Sequence, residues 1–419
     1  TVFLDLLNHA IACAKRKDNF SFAVLFLDLD RFKVVNDSLG HHAGDLLLKI
    51  IARELLAIVR GKDTVARIGG DEFVILIEDL SSKDEAFDVA QRITAFLQQP
   101  FTIDNQLVYT GTSIGISFSN QRYDDANTML RDADTAMYHA KDNGRGRYEV
   151  FDASMHQKVQ NALSLEADIR EAISWQEFIP YFQPILKLDN QELRGFEALA
   201  RWQSTKRGFV YPNDFIPLAE ETDLIQKIDL QIIEKSCQQL KRWQDELGCH
   251  DLYVSCNLFS KQFFSTSLPQ DIDAILKSTG LAPHNLRVEL TERALLENAE
   301  IVLTNMQALK NMGVKILLDD FGTGYSSLGY LHRFPIDVLK IDRSFISNVH
   351  EHNNHRAIIR TIVDLANNLQ MATVGEGIEN LADAQLLQQM DCQYGQGYYF
   401  AKPMSVQDTT DYIIQQKAK

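Results

Sequence analysis

Two adjacent carboxylates, Asp319 and Asp320, follow a short apolar run in the stretch Lys315–Tyr325. The run is typical of a buried strand. On a continuous strand the two side chains would point to opposite faces, so both reach one site only if the chain turns, and Phe321–Gly324 supplies turn residues. Two close carboxylates repel each other unless a cation lies between them. The stretch therefore predicts a divalent metal site whose other ligands come from elsewhere in the chain.

Polar side chains recur at the ends of other apolar runs in the second half of the chain. The runs lie at 178–183, 195–199, 252–257, 286–289, 315–320, 338–342, 372–376 and 397–400, and they alternate with helical stretches. Such alternation over about 250 residues predicts a (β/α)8 barrel, an α/β fold in which functional residues gather at the carboxyl ends of the strands. The side chains expected there are Glu197, Asn257, Glu289, Asp319, Asp320 and Glu376, with Lys340 beside them.

This set of oxygen ligands favours Mg²⁺ or Mn²⁺ over zinc. A two-metal site with one bridging carboxylate activates water and stabilises both oxygens in a phosphodiester displacement. Lys340 would orient the attacking water or offset phosphate charge. Any one of these acids alone would also be typical of a helix cap or a salt bridge. The whole set, placed at successive strand ends, is not.

The first half carries a second acidic group. The apolar run 21–27 ends in Asp28, and runs at 65–68 and 73–77 flank Gly69-Gly70-Asp71-Glu72. Two such runs around a glycine pair predict a β-hairpin with two acids at its bend. Helical patterns at 8–16, 44–59, 84–98 and 127–142, with a further strand pair at 107–118, complete an α/β domain. Its acids suit Mg²⁺-dependent nucleotidyl transfer, although solvated acids would give the same pattern.

Composition limits the classes of function. The 419 residues are enough for two or three domains, and 45% hydrophobic and 24% charged residues are typical of soluble proteins. No apolar run reaches the roughly 18 residues of a membrane span, and the first residues lack a signal peptide's pattern. Five scattered cysteines predict a reducing, cytoplasmic setting. The net charge of −15 argues against binding to nucleic-acid polymers or to anionic membranes.

The sequence predicts domains at 1–152 and 174–419. Residues 153–173 between them are polar and helical in pattern, which indicates a connector. Because the chain starts without Met, we also expect it to be a piece of a longer protein, whose missing part would be the place for any membrane tether.

Gly69-Gly-Asp-Glu-Phe73 is the signature of the GGDEF diguanylate cyclase family, which residues 1–152 resemble over nearly their whole length. The resemblance implies a palm-like domain that condenses two GTP, one held by each half of a homodimer, with one or two Mg²⁺ or Mn²⁺ ions. The metal positions it implies are Asp28, the Leu29 carbonyl, Asp71 and Glu72, of which the last two are also catalytic. The GTP contacts it implies are Asn36, Asp45, Gly69, Gly70, Lys141 and Arg145. Arg60 and Asp63 match the family's product-inhibition RxxD, although a surface salt bridge would also explain an RxxD pattern.

Glu197-Ala-Leu199, followed by Arg201-Trp202, resembles the motif of the EAL family of cyclic di-GMP phosphodiesterases, and the likeness extends through the second half. It implies hydrolysis of cyclic di-GMP to pGpG with two Mg²⁺ or Mn²⁺ ions. The ligands that it implies for the first ion are Glu197, Asn257, Glu289 and Asp319. Those for the second ion are Asp319, Asp320 and, through a water, Glu376. Glu376 is the implied general base, Lys340 assists it, and Gln183, Arg201, Asp342, Glu379 and Gln396 hold substrate or support the site. Glu292, which would otherwise be a simple capping acid, matches the anchor of the loop 319–328 that couples dimerisation to activity in the family.

Three hypotheses follow. The first is an enzyme with both activities, in which the phosphodiesterase is favoured because every EAL ligand position is filled and no second half-site is needed. The second keeps hydrolysis alone, with GTP at the first domain as an allosteric activator. The third is a non-catalytic receptor for cyclic di-GMP. Substituted metal-ligand positions would indicate such a receptor, and the sequence has no such substitutions.

Overall fold

The computed structural model describes residues 2–17, 20–103, 106–120, 122–296, 299–322, 331–347, 349 and 353–418. The chain divides into two compact units, Thr1–Ser164 and Leu165–Lys419. None of the described helices combines the length and the apolar character needed to cross a membrane.

The first unit is built on a five-stranded sheet and a separate strand pair. Its strands are β1 (Ala23–Asp30), β2 (Thr64–Gly69), β3 (Glu72–Ile77), β4 (Phe101–Ile103), β5 (Gln106–Val108), β6 (Gly111–Phe118) and β7 (Tyr148–Val150). Its helices are Val2–Arg16, Phe32–Leu39, His41–Ile58, Asp84–Leu97 and Ala126–Asp142, and a further helix, Ala153–Ser174, begins here and ends in the second unit.

The sheet has the order β2-β3-β1-β6-β7, with β1 at its centre and antiparallel to both neighbours. Alternate residues of β1 enter different cores, Leu25 and Leu27 one cluster and Val24 and Phe26 the other, because successive side chains of a strand point to opposite faces. The predicted hairpin is confirmed as β2–β3. The predicted strand pair at 107–118 is wrong in its pairing, since β5 joins β4 and β6 joins β1.

The second unit is a barrel with surrounding helices. Its strands are β8 (Phe178–Lys187), β9 (Leu193–Ser204), β10 (Gly208–Val210), β11 (Tyr253–Asn257), β12 (Leu286–Thr291), β13 (Lys315–Phe321), β14 (Val338–Ile341), β15 (Ala372–Gly375) and β16 (Tyr394–Gly395). The α-helices are Pro212–Glu221, Ile225–Leu247, Leu268–Thr279, Glu292–Leu296, Ala299–Met312, Arg343–Ile346, Asn353–Asn368, Leu381–Gln389 and Val406–Lys417, and the 3₁₀ helices are Ser260–Phe264 and Pro283–Asn285.

The predicted barrel is confirmed with one difference in strand direction. The ring runs β9-β11-β12-β13-β14-β15-β16-β8 and closes through the β8–β9 pair, with β10 attached to β9 at its edge. Strands β9 to β16 of the ring are parallel, whereas β8 is antiparallel to both β9 and β16. A short turn joins β8 to β9, and only antiparallel strands can be joined in this way.

The last predicted strand, 397–400, is wrong. Residues 397–400 form a turn, and the eighth ring position is taken by β16. Gly397 packs so closely on the chain after β15 that a Cβ there would lie 2.1 Å from the Ile378 carbonyl oxygen. The Tyr399 N–H donates to that same oxygen at 3.0 Å. These contacts commit the segment to a turn over the end of β15.

Candidate functional site

The inward face of the barrel changes from apolar to charged along its strands. A buried layer consists of Ile185, Tyr253, Leu317, Val338 and Val374. Two residues further along β13, β14 and β15 the same face carries Asp319, Lys340 and Glu376, because alternate residues share a face. The charged layer therefore lies at the carboxyl ends of the parallel strands, where barrel active sites are found.

Four carboxylates converge on one buried lysine. The Lys340 Nζ lies 2.5 Å from both Glu289 Oε2 and Glu376 Oε1, 3.3 Å from Asp319 Oδ1 and 3.5 Å from Glu197 Oε2. Burial lowers the pKa of Lys340, but the carboxylates, Asp319 foremost, outweigh it and hold that pKa well above its ordinary value. The ammonium therefore stays charged at neutral pH.

The cluster carries more acid than this lysine can balance. Asp320 interacts electrostatically with Asp319, Asp342 and Lys340, so further acids lie near the four carboxylates around Nζ. One ammonium cannot balance so many carboxylates, and divalent cations would supply the missing positive charge. Burial first, and then the neighbouring acids, raise the pKa of Glu289 to about 8 and that of Glu376 well above its usual range. The site therefore favours added positive charge.

The donor atoms fit Mg²⁺ or Mn²⁺. Two buried oxygens of the cluster, Glu289 Oε1 and Gln396 Oε1, have no hydrogen-bond partner within the described residues, and such orphaned acceptors are unusual in proteins. In the described part of the chain, no three acidic, histidine or cysteine side chains converge as ligands of one ion as they stand, because the carboxylates turn toward Lys340. Carboxylate and amide oxygens suit hard divalent ions, which would be bound by rotating carboxylates away from the ammonium.

Three amide side chains complete the inner network. Asn257 Nδ2 donates to Glu197 Oε1 at 2.7 Å, and Gln396 Nε2 donates to Glu197 Oε2 at 2.5 Å and to Gln183 Oε1 at 3.0 Å. Gln183 in turn donates to the Ala401 carbonyl. The structure thus brings Asn257 and Gln396 to Glu197, one to each carboxylate oxygen, and it brings Gln183 to Gln396.

The turn predicted after Asp320 occurs one residue earlier. The pairing of β13 with β14 is irregular between Leu318 and Phe321, and Asp320 takes a left-handed backbone conformation with φ 55°. The bulge lets neighbouring acids approach one site, so the glycines that follow are not needed for it. Glu292 Oε2 accepts the Gly322 N–H at 3.2 Å, which fits its predicted anchoring position. Residues 323–328 of the predicted loop lie outside the described residues.

The remaining predicted substrate contacts surround the cluster. The Arg201 guanidinium lies over the Tyr181 ring, 5.4 Å from its centroid. Asp342 accepts the Ser344 N–H at 2.9 Å and so caps the helix Arg343–Ile346. Glu379 pairs with Arg343 at 2.6 Å. Arg201 follows Glu197 on β9, and Asp342 and Glu379 come after the ends of β14 and β15.

In the first unit the predicted acids lie where the central strand β1 adjoins the β2–β3 hairpin. Asp28 pairs across the sheet with Glu72, and Lys141 Nζ lies 2.8 Å from Asp28 Oδ2. Burial raises the pKa of Asp28 despite Lys141, and Asp71 adds to the rise. Burial and then nearby acids, Asp134 foremost, raise the pKa of Glu72. Because the pKa values of both acids are raised, this cluster also favours cations. Leu29, whose carbonyl is the other predicted ligand, follows Asp28 in β1.

The predicted GTP contacts lie on the elements around this hairpin. Asn36 and Asp45 belong to the helices Phe32–Leu39 and His41–Ile58, which approach so closely that a Cβ at Gly44 would lie 2.0 Å from Asn36 Oδ1. Asp45 lines a cavity of about 370 Å³ together with residues of β2 and β3, whereas Asn36 does not. Gly69 and Gly70 form the hairpin bend, where Arg67 donates to the Gly70 carbonyl at 2.6 Å. Lys141 and Arg145 stand at and beyond the end of the helix Ala126–Asp142.

Arg60 and Asp63 face a common cavity of about 370 Å³. The Arg60 N–H donates to Asp63 Oδ2 at 2.8 Å, while the Arg60 guanidinium pairs with Glu85 at 2.8 Å. The surface salt bridge of Arg60 is therefore made with Glu85 and not within the RxxD pattern, and the inhibitory position stays a prediction.

Two family models match the chain. The model of the EAL domain covers residues 166–403, and that of the diguanylate cyclase GGDEF domain covers residues 1–147. The chain is a tandem GGDEF–EAL protein. Its two halves carry the domains that the sequence motifs predict, in the predicted order.

Two curated relatives of this chain carry names that refer to the synthesis or hydrolysis of cyclic di-GMP. A Pseudomonas aeruginosa protein, the bifunctional diguanylate cyclase/cyclic di-GMP phosphodiesterase MucR, is 40% identical over 400 residues, which are 96% of this chain and 58% of the relative. The Escherichia coli cyclic di-GMP phosphodiesterase PdeR is 38% identical over 400 residues, which are 96% of this chain and 60% of the relative. The chain therefore spans less than two thirds of these curated relatives. The solved PaMucR phosphodiesterase, a c-di-GMP complex, is 35% identical with a TM-score of 0.56 and covers 59% of this chain and 99% of that one.

The barrel unit also holds a buried acid that no sequence motif marks. Asp229 lies among the buried residues of the helix Ile225–Leu247, and its Oδ2 accepts the Phe259 N–H at 2.8 Å, two residues after Asn257. Burial raises the pKa of Asp229 to about 7. An acid among the apolar positions of an amphipathic helix, next to Ile225, Ile228 and Ile232, is the signal that would have found it.

The stability of the Asp229→Asn variant, compared with that of the parent at the same pH, is expected to increase as pH rises. The fold raises the pKa of Asp229 from 3.8 to about 7, so its contribution to stability is complete below pH 3.8 and lost as pH rises through 7. Asparagine keeps the acceptor oxygen and has no such loss. Thermal unfolding in EDTA should show the Tm difference, variant minus parent, growing from pH 5 to pH 8. An equal difference at both values would contradict this assignment.

Proposed function

We propose that residues 174–419 hydrolyse cyclic di-GMP to pGpG and that residues 1–152 condense two GTP into cyclic di-GMP, with 153–173 as the connector. The observation that carries the proposal is the convergence of Glu197, Glu289, Asp319 and Glu376 on Lys340 at the carboxyl ends of the barrel strands. Membership of the tandem family and the names of both relatives support it.

Two Mg²⁺ or Mn²⁺ ions are proposed for the EAL site. Glu197, Asn257, Glu289 and Asp319 would hold the first, and Asp319 and Asp320, with Glu376 through a water, would hold the second. When bound, such ions supply an activated water and stabilise charge on the phosphoryl oxygens. Their charge would balance the acids that Lys340 leaves uncompensated.

The chain's own groups then perform positioning and proton transfer. Glu376, the most exposed of the four carboxylates around Lys340, accepts the proton of the attacking water. Lys340 offsets negative charge that develops on the phosphodiester. Gln396 fixes the Glu197 carboxylate and is itself held by Gln183. Arg201, beyond Glu197 on β9, is a cation for a substrate phosphate. Asp342 and Glu379 would support the loops at the entrance.

The proposal for the GGDEF domain needs a second copy. Each domain would hold one GTP through Asn36, Asp45, Gly69, Gly70, Lys141 and Arg145, with one or two Mg²⁺ or Mn²⁺ ions at Asp28, Leu29, Asp71 and Glu72. Two such half-sites must meet, so a homodimer is part of the proposal. Arg60 and Asp63 would bind the product and inhibit, and the loop anchored by Glu292 would link dimerisation to hydrolysis. A cytoplasmic location is also proposed, since all five cysteines are free.

Incubation with Mg²⁺ and either cyclic di-GMP or GTP, followed by separation of the products, tests both activities. We expect pGpG from the first substrate and cyclic di-GMP, with its breakdown product, from the second. A folded protein that binds cyclic di-GMP without producing pGpG would favour the receptor hypothesis instead.

The double variant Asp71→Asn, Glu72→Gln is expected to lose cyclase activity by at least about 100-fold, because the hairpin acids that would hold Mg²⁺ lose their charge. Hydrolysis of cyclic di-GMP by the same variant, measured without GTP, should stay near that of the parent. If the parent shows no cyclase activity, and GTP accelerates its hydrolysis but not that of the variant, the GGDEF domain is an allosteric GTP site. A matched control is Asp79→Asn, at an exposed acid beyond β3.

A further inference from the structure

The wall of the barrel mouth beyond Glu197 is built from strand extensions. Strand β9 continues past Glu197 to Ser204, with β8 on one side and β10 on the other. Because alternate side chains share a face, Arg201 lies on the face that carries Glu197. Tyr181 pairs with Leu199 and Phe209 with Gln203, so both belong to that face too.

Three aromatic rings line this face. The Tyr181 and Phe209 centroids are 5.8 Å apart with planes at 62°, and those of Phe209 and Tyr211 are 5.2 Å apart at 74°. We call Tyr181, Phe209 and Tyr211 the aromatic wall. Phe209 is 40% exposed and Tyr211 62% exposed. Packing within the barrel therefore does not account for them, and contiguous exposed apolar surface beside a polar site is typical of ligand contacts.

Arg201 stands between the aromatic wall and the acidic cluster. Its guanidinium lies over the Tyr181 ring and is close enough to Tyr211, Tyr398 and Glu197 to interact electrostatically with each. Throughout the described residues, no carboxylate lies within ion-pair distance of this guanidinium, which donates to the Ala200 carbonyl. From the cluster outward the order is thus metal ligands, an unneutralised cation and exposed rings. A nucleotide presents the complementary order of reacting phosphate, further phosphate and base.

We propose that the aromatic wall stacks one purine base of the cyclic dinucleotide, and that Phe209 and Tyr211 thereby set both its affinity and the preference for purine over pyrimidine bases. This inference rests on the proposed hydrolysis of cyclic di-GMP. Stacking suits this place because every purine offers a large π-face, and the neighbouring arginine adds a cation for the attached phosphate. A ring that touches only the base acts equally on bound substrate and transition state, so it changes KM and leaves kcat alone.

The test compares Phe209→Ala, Tyr211→Ala and their combination with Tyr211→Trp, which keeps a ring, and with Ile414→Ala. Ile414 is a half-exposed apolar residue of the helix Val406–Lys417 and serves as the matched control. We expect each alanine variant to raise KM for cyclic di-GMP about 10-fold with kcat within about twofold of the parent. Tyr211→Trp and Ile414→Ala should keep the parent's KM. The alanine variants should also discriminate less between cyclic di-GMP and cyclic di-UMP as competing ligands.

The dissociation constant of cyclic di-GMP in EDTA, where turnover is absent, tests the aromatic wall independently of hydrolysis. A double alanine variant with the parent's Tm and an unchanged dissociation constant would overturn the inference. So would a changed elution volume with unchanged affinity, since the rings would then join two copies of the chain. A parent that binds cyclic di-GMP through these rings but forms no pGpG overturns the proposed hydrolysis and leaves the base site standing.

Discussion

Replacing Lys340 with methionine is expected to lower the free energy of unfolding in EDTA by about 3–5 kcal/mol and to abolish hydrolysis. Methionine has a similar length but no charge, so the carboxylates around Nζ lose their shared cation. Removing one partner from a buried ionic group costs free energy of this size because the other charges remain buried. Mg²⁺ or Mn²⁺ should restore much of the loss, so the metal should raise Tm more in the variant than in the parent.

Lys310→Met is the matched control for this substitution. Lys310 is also a barrel lysine in an ion pair, with Nζ 2.5 Å from Asp337 Oδ1, but its side chain is 31% exposed and the pair lies outside the acidic cluster. Its loss should cost about 0–1 kcal/mol and should not depend on metal. An unchanged Tm of Lys340→Met in EDTA, or a metal response no larger than that of the parent, would contradict the electrostatic account of the cluster.

The barrel and its acids were predictable because two signals coincide in the sequence. Apolar runs mark the strands, and the strands of a (β/α)8 barrel end on one face, so the polar residue that closes each run is placed without knowledge of packing. Asp319 and Glu376 follow this rule directly. Glu289 lies within β12 rather than at its end, but it still belongs to the cluster because it pairs in register with Asn257 of β11.

Other features depend on contacts that periodicity does not encode. The apolar pattern of β8 is the same in either direction, and only the short turn into β9 makes it antiparallel. The turn at 397–400 is fixed by the approach of Gly397 to Ile378. Phe209 lies in the short edge strand β10 and Tyr211 directly follows that strand, in a stretch that carries no motif, and the two rings reach the Tyr181 face only because β10 pairs with β9.

The substitution Glu376→Gln is expected to lower kcat by about 10²- to 10⁴-fold while leaving the affinity for cyclic di-GMP near that of the parent. Glutamine keeps the shape of the side chain, and the Glu376 backbone N–H still donates to the Ile341 carbonyl. It cannot accept a proton from water, however, and general-base catalysis contributes about this factor. Steady-state hydrolysis and binding of cyclic di-GMP in EDTA measure the two quantities separately. Retained kcat would remove Glu376 from the role of base.

The same variant should be more stable than the parent when metal is absent. Burial and the neighbouring acids raise the pKa of Glu376, so ionising this carboxyl in the folded protein costs stability as pH rises, and glutamine has no such cost. The gain in stability should therefore grow toward alkaline pH. Metal-free Tm should therefore rise for Glu376→Gln and fall for Lys340→Met, although both variants lose hydrolysis. Asp364→Asn, at an exposed acid of the helix Asn353–Asn368, should change neither activity nor Tm. Equal signs for the first two variants would show that packing, rather than the excess of negative charge, governs stability at this site, and would weaken the inference that divalent cations balance it.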